Sequence, residues 1–267
     1  MKRKIIIPIL VSVVLLLLVA ALLQPDLAKR FALLGDSLVL AKDGKGGNAA
    51  DQYTLLEGRF KDRVQPGWLH IREHRFSDVD IPDFGSFGEA NPIPTESMIE
   101  TWIHVDDAGM IDRLVTIQTA MDGRVVQAGV TSDGTGWNTA ADEFWPREVI
   151  PVFFIDHGLS RFLDNPDLHW KQALNDRQEK MVIFEVSINE PKKPQLQDYL
   201  VPLKAMAYQF TFAEETGFIT SVQRIARLTD GSERIHDVID IEIWLNEVPP
   251  EEVLVYFTMK QEREAAR

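Results

Sequence analysis

Cysteine is absent from all 267 residues of this chain. Disulfides, thiolate nucleophiles, iron–sulfur clusters, Cys-ligated zinc and a lipid-modified cysteine are excluded together. Positive charge is scarce as well: 28 Lys and Arg stand against 41 Asp and Glu, a net of −13, and no basic patch occurs. Nucleic acid is therefore not expected as a partner, since phosphate binding needs clustered cations. No repeat of fixed period is present. The one Gly-rich stretch, Asp43-Gly44-Lys45-Gly46-Gly47, lacks both the spacing of a phosphate-binding loop and a following strand–helix unit. What remains is the composition of a folded protein, 45% hydrophobic and 26% charged.

The longest apolar run lies at the start. After Lys2, Arg3 and Lys4, residues 5–23 carry no charge and are interrupted only by Pro8 and Ser12. About 20 apolar residues at ~1.5 Å each cross ~30 Å of hydrocarbon, so residues 1–24 are expected to hold one N-terminal transmembrane helix. The basic flank places the N-terminus in the cytoplasm and the rest outside the cytoplasmic membrane. Val19-Ala20-Ala21 suits a signal peptidase, so a cleaved signal peptide is the alternative, and it too exports the body. Without the three leading cations the remainder carries 25 basic against 41 acidic side chains, which repels anionic headgroups and leaves tethering to the helix. Residues 25–51 read as a juxtamembrane helix, with Leu27, Phe31, Leu34 and Leu38 at helical spacing, followed by a linker from Asp43 to Asp51.

From about Gln52 to the C-terminus, 52–267 read as one domain dominated by period-two alternation, the mark of strands buried on one face. Ile99, Thr101, Ile103 and Val105 share one face of a strand, while Glu100, Trp102 and His104 share the other. Tyr208, Phe210 and Phe212 share a face, and Ile235, Ile239, Ile241, Ile243 and Leu245 alternate with His236, Val238, Asp240, Glu242 and Trp244. Asp122-Gly123, Asp133-Gly134 and Asp230-Gly231 fall between such runs and predict tight antiparallel hairpins. Helical patterns are expected over 144–163 and 166–175, between two groups of strands. Together these predict an α+β domain with helices against one face of a curved antiparallel sheet.

The order of these segments resembles the periplasmic lipoprotein carrier and receptor superfamily, the LolA and LolB type, with RseB-type sensor domains among its relatives. The likeness rests on Glu100-Thr101-Trp102-Ile103-His104 leading through Asp107-Ala108-Gly109 into Ile111-Asp112-Arg113, then Val125-Val126-Gln127 and Gly136-Trp137-Asn138. It ends on Trp244-Leu245-Asn246-Glu247-Val248-Pro249-Pro250-Glu251-Glu252-Val253, a last strand running into a Pro-started helix. The resemblance spans roughly 65–257 and implies an unclosed β-barrel with helices on its concave face, around an apolar cavity for acyl chains or a lipidated protein. A tethering helix departs from soluble carriers of that family and suits a fixed receptor, chaperone or sensor better.

Candidate chemistry is sparse. His70 and His74 have the i, i+4 spacing of helical zinc ligands, but Trp68 to His74 reads as a strand and no third ligand is evident. Asp78, Asp80 and Glu89 match three positions of a calcium loop whose required Gly is Asp83, leaving at most a looser oxygen-rich site in Ser77 to Glu89. Gly158-Leu159-Ser160 is no nucleophile elbow, because Phe162 stands where the second Gly belongs; Ser160 is expected to cap a short helix, with Asp164 nearby. An exported hydrolase using His104, Asp106 or His157 is the minor enzymatic alternative. No metal, cofactor or catalytic residue is assigned, and no enzymatic activity is expected. Trp68, Trp102, Trp137, Tyr208, Phe210, Phe212 and Trp244 are candidates for an apolar ligand cavity, with ordinary core as the competing role. The sequence thus favours a membrane-anchored extracytoplasmic domain that binds a hydrophobic ligand, a lipid or a lipidated protein without covalent chemistry. The alternative is a sensor or structural domain with a filled core that binds an envelope protein. An enclosed apolar volume above roughly 300 Å³ supports the first, and a filled core supports the second.

Overall fold

The structure, a computed structural model, describes residues 39–42, 48–77, 96–188 and 203–267. The expected anchor at 5–23, the helix through Leu27 to Leu38, most of the linker, the acidic loop at 78–89 and the loop at 189–198 lie outside the described residues. No helix among the described residues is long and apolar enough to cross a membrane. The chain divides into two compact units, Met1–Ala41 with Ala173–Glu179, and Lys42–Gln172 with Lys180–Arg267. In the smaller unit the described residues include most of β1 (Val39–Lys42) and a turn in which the Asn175 side chain accepts from the Arg177 and Glu179 amides, at 3.0 and 2.8 Å.

The larger unit is an antiparallel ladder. Its strands are β2 (Gly67–Ser77), β3 (Glu96–Val105), β4 (Met110–Ala120), β5 (Val125–Ser132), β6 (Thr135–Asn138), β7 (Glu143–Pro146) and β8 (Ile150–Pro151), then β9 (His169–Leu174), which runs on into the smaller unit. β10 (Lys180–Ile188), β11 (Leu203–Ala213), β12 (Ile219–Leu228) and β13 (Glu233–Leu245) complete the set. Neighbours run β10-β11-β12-β13-β2-β3-β4-β5-β6-β7, with β8 paired to β4. The ladder does not close, since β7 pairs with β6 alone. The three hairpins read from Asp-Gly pairs are present: Gly123, Gly134 and Gly231 have φ of 83, 75 and 86°, and Asp133 joins Gly134 at 53°. Glycine carries no Cβ to clash in this left-handed region.

Among the described residues the unit carries two α-helices, one where linker and strand are expected and one where the resemblance implies a Pro-started closing helix. α1 (Ala49–Arg63) starts inside the stretch read as linker and strand. The Asn48 side chain caps it by accepting from Ala50 N–H at 3.2 Å, and Ala49, Gln52, Leu56 and Phe60 form its buried face. Only two of those four are large and apolar, so the helical period is faint in the sequence. α2 (Glu251–Ala265) begins after Pro250 with Glu251 and Glu252 in its first turn, where the helix dipole favours acidic side chains. Its inner face is Val253, Tyr256, Phe257 and the fully buried Lys260, whose ammonium donates to the Ser132 carbonyl at 3.1 Å and to Glu264 at 3.2 Å.

The helices expected over 144–163 and 166–175 are replaced by β7, β8, a 3-10 turn at Leu159–Phe162, and β9. Pro146 and Pro151 each end a short strand, where the missing N–H does no harm. The placement of both helices on one concave face is also corrected. Successive strand residues point to opposite faces. Leu69, Ile71, Ile103 and Val105 pack with Leu56 and Phe60 of α1. Trp102, Val115, Val130 and Trp137 pack with Val253, Tyr256 and Phe257 of α2. Among the described residues each face of the sheet carries one helix.

Candidate functional site

Three neighbouring strands bring Tyr208 and Phe210 of β11, Val222 and Arg224 of β12, and Asp237 and Ile239 of β13 onto the α1 face. The register pairs Tyr208 with Arg224 and Phe210 with Val222, then Arg224 with Asp237 and Val222 with Ile239. The result is an apolar floor with one charged corner, in which the Arg224 guanidinium donates to the Asp237 carboxylate. Burial alone would lower the Arg224 pKa, but Asp237 and Tyr208 outweigh it and hold the guanidinium charged. Over this floor lies the segment 152–165. His157, Gly158, Arg161 and Phe162 face the six strand residues across a cavity of about 270 Å³. Phe162 meets Tyr208 and Phe210 with ring centroids 5.4 and 6.0 Å apart.

Asp156 fixes the covering segment. Its carboxylate accepts from the Gly158 and Ser160 amides at 2.9 and 2.8 Å and from the Tyr53 hydroxyl of α1 at 3.0 Å. Burial raises its pKa, but those hydrogen bonds together with one from the Ser160 hydroxyl prevail and keep it below the ordinary value. Asp156 therefore plays the capping part expected of Ser160, because its carboxylate reaches two amides at once. Burial, and then the Asp156 charge, push the Tyr53 phenol upward. His157 and Gly158 turn the chain with φ of 49 and 89°. The His157 side chain is 16% exposed, and its Nε2 has no hydrogen-bond partner, the nearest carboxylate being Glu73 Oε1 at 3.7 Å. Burial lowers its pKa below 6.5; Glu73 and Asp156 oppose that shift and Arg75 adds to it.

Both groups depress their folded-state pKa, so the unfolded chain binds more protons on acidification and stability rises with pH. The His157 contribution is present above about pH 6.5 and is lost as pH falls through its lower folded value; that of Asp156 follows below its ordinary 3.8. Protection factors of the Gly158 and Ser160 amides are expected to fall first below pH 6.5, and again in the Asp156 range. Protection that is flat between pH 7 and 5 would contradict this assignment.

The seven aromatic candidates do not converge. Tyr208 and Phe210 line the cavity, and Phe212, fully buried on the same face, packs against Phe154 and Phe184 as core. Trp68, Trp102, Trp137 and Trp244 belong to the opposite face, so one cavity lined by all seven is corrected to two separate clusters. There His70 is stacked between Trp102, at 3.6 Å and 6° between planes, and Trp244 at 4.9 Å. Its Nδ1 meets Glu247 at 2.8 Å. The His70 ring, with Nε2 3.7 Å from Glu100 Oε1, and then the Arg72 guanidinium, which donates to the same carboxylate at 3.0 Å, hold the Glu100 carboxyl below its ordinary value. These rings present their faces to one another, as packing residues do. Trp137 donates Nε1–H to Asp142 at 3.0 Å.

The strand reading of Trp68 to His74 holds. No group of three or more His, Asp and Glu poised to hold a metal ion occurs among the described residues. His104 pairs with Asp112 at 2.6 Å rather than with Asp106, which instead accepts from the Ala108 and Met110 amides in the β3–β4 turn. His74 meets Glu96 at 2.8 Å. His70, His74 and His104 hold no hydroxyl nucleophile among the described residues.

Sequence reading missed Arg161, Arg224, Asp237, His157 and Ile239 as a group. A signal for two of them existed: Arg224 and Asp237 are equidistant from the Asp230-Gly231 turn, and both interrupt apolar stripes, Val222 to Ala226 and Ile235 to Ile239. No protein-family model matches this chain, and no curated protein matches it. Among solved structures, the crystal structure of LprF from Mycobacterium bovis is similar to it at 13% identity and a TM-score of 0.34, covering 78% of this chain and 100% of that one. That likeness is distant.

Proposed function

We propose that this chain is a binding protein. Residues 5–23 hold it at the cytoplasmic membrane, and its extracytoplasmic body takes a small amphipathic ligand into the cavity between segment 152–165 and strands β11 to β13, without covalent chemistry. The observation that carries this reading is the cavity itself, about 270 Å³ with an apolar floor and a charged corner, on a face whose other residues form a filled core. Ligand sites usually measure ~300 to 1,000 Å³, so the volume falls just below that range and below the volume that separates the two readings by size alone. At roughly 30 Å³ per water-sized group it accepts on the order of ten non-hydrogen atoms. One short hydrocarbon tail with a polar head suits it; a whole diacyl lipid does not. The apolar part would gain about 25 cal/mol per Å² removed from water. The nineteen uncharged residues behind the basic N-terminus support the anchor.

Ile239 is half-buried and faces the cavity, so Ile239→Trp fills the space without opening the core behind it. The full-length chain, purified without delipidation, is expected to carry a small co-purifying molecule in native mass spectrometry, and Ile239→Trp to lose it with little change in melting temperature. A wild-type chain that is empty and takes up no amphiphile on titration would overturn the proposal.

A further inference from the structure

The cavity carries unbalanced charge. Among its lining residues Arg224 is neutralised by Asp237, which leaves Arg161 as a cation without a counterpart. Arg59, Arg63, Arg72, Arg75, Arg224 and Arg227 each hold a carboxylate within ion-pair distance. Arg161 holds none among the described residues. Its exposed side chain passes beside Gly158 at the cavity wall, where a Cβ on Gly158 would lie 3.7 Å from Arg161 Nε and 3.8 Å from Cδ. The φ of 89° at Gly158 is one that glycine adopts freely. His157 also lines the cavity, and its Nε2 is buried without a hydrogen bond, 3.7 Å from Glu73 Oε1. A buried polar nitrogen without a partner is costly unless something arrives to meet it.

Resting on the binding reading above, we infer that the ligand is a monoanion, an oxyanion headgroup of single charge on a short apolar tail. Arg161 grips the headgroup, and Tyr208, Phe210, Val222 and Ile239 receive the tail. One negative charge balances the one uncompensated cation of the lining. The guanidinium fork meets two oxygens of a carboxylate in parallel, which an ammonium cannot do. A neutral head leaves Arg161 without a counter-charge, and a doubly charged head leaves one charge uncompensated next to Asp237.

The test uses the full-length chain in phosphatidylcholine nanodiscs, titrated calorimetrically with octanoate, 1-octanol and octyl phosphate, with uptake by empty discs subtracted. Octanoate is expected to bind at least tenfold more tightly than 1-octanol and than octyl phosphate at a pH where the latter is a dianion. Arg161→Gln, on an exposed side chain that carries none of the core, is expected to remove that preference while 1-octanol affinity stays within about twofold. Arg161→Lys is expected to restore it only in part. Equal affinity for octanoate and 1-octanol, or an unchanged preference in Arg161→Gln, overturns the monoanion and leaves the binding reading standing. Tighter binding of octyl phosphate overturns the single charge. Failure of all three to bind, with Ile239→Trp giving the same null titration, overturns the binding reading itself.

Discussion

Gly217→Ala is expected to cost about 3 kcal/mol of stability or more, the largest effect of any single glycine substitution considered. Gly217 ends the β11–β12 turn with φ at 72°, and the turn lies directly on α1. An added Cβ would press on the Leu56 carbonyl and stand 2.9 Å from Phe60 N, the two ends of one helical hydrogen bond. Both obstacles are backbone, so no side chain can rotate away. Arg59 donates to the Glu214 carbonyl and Arg63 meets Glu215 at 3.1 Å, and these contacts fix the turn where the clash arises. Gly109→Ala is the matched control, with φ at 76° but open space around the new methyl group, and about 1 kcal/mol is expected there. Chemical denaturation of both variants checks the difference, which corresponds to a gap in melting temperature on the order of 4 to 8 °C. Equal losses would show that strain alone matters and that α1 does not sit on the turn.

Arg224→Met is expected to destabilise by about 3 kcal/mol, because it strands the Asp237 carboxylate, 14% exposed, on an apolar face. The loss is not the worth of the ion pair, since two charges taken from water have already given up much of what their attraction returns. Adding Asp237→Leu to Arg224→Met is therefore expected to recover most of the loss, and Asp237→Leu alone to cost less than Arg224→Met. A double-mutant cycle in urea measures the coupling. Additive losses would mean that the two side chains do not depend on each other, and the charged corner of the cavity would go with them.

Much of the sheet was legible because its signals are local. Asp133-Gly134 and Asp230-Gly231 specify hairpins through their own backbone preferences, and the alternation in 206–212 and 235–245 specifies which side is buried. α1 was not legible: with Ala49, Gln52, Leu56 and Phe60 as its inner face, half its buried positions look polar or small. The segment 144–163 misled in the other direction, since its apolar residues serve short strands and a covering loop whose partners lie far away in sequence. The cavity was half legible. Tyr208 and Phe210 stand out as aromatics, but Trp68, Trp102, Trp137 and Trp244 stand out equally, and only strand parity across β13, β2 and β3 sends them to the other face. Asp237 in a stripe of isoleucines was the sharper clue, because a carboxylate on an apolar face demands a partner.

The proposed ligand lies on one face of the sheet, beneath segment 152–165. Methyl NMR of the full-length chain with labelled isoleucine and valine, titrated with octanoate and then 1-octanol, tests this most directly. The expected result is a saturable shift at Val222 and Ile239, with Val115, Ile117 and Val130 beneath α2 unmoved. Shifts centred on those three, or none on either face at saturating ligand, would contradict it.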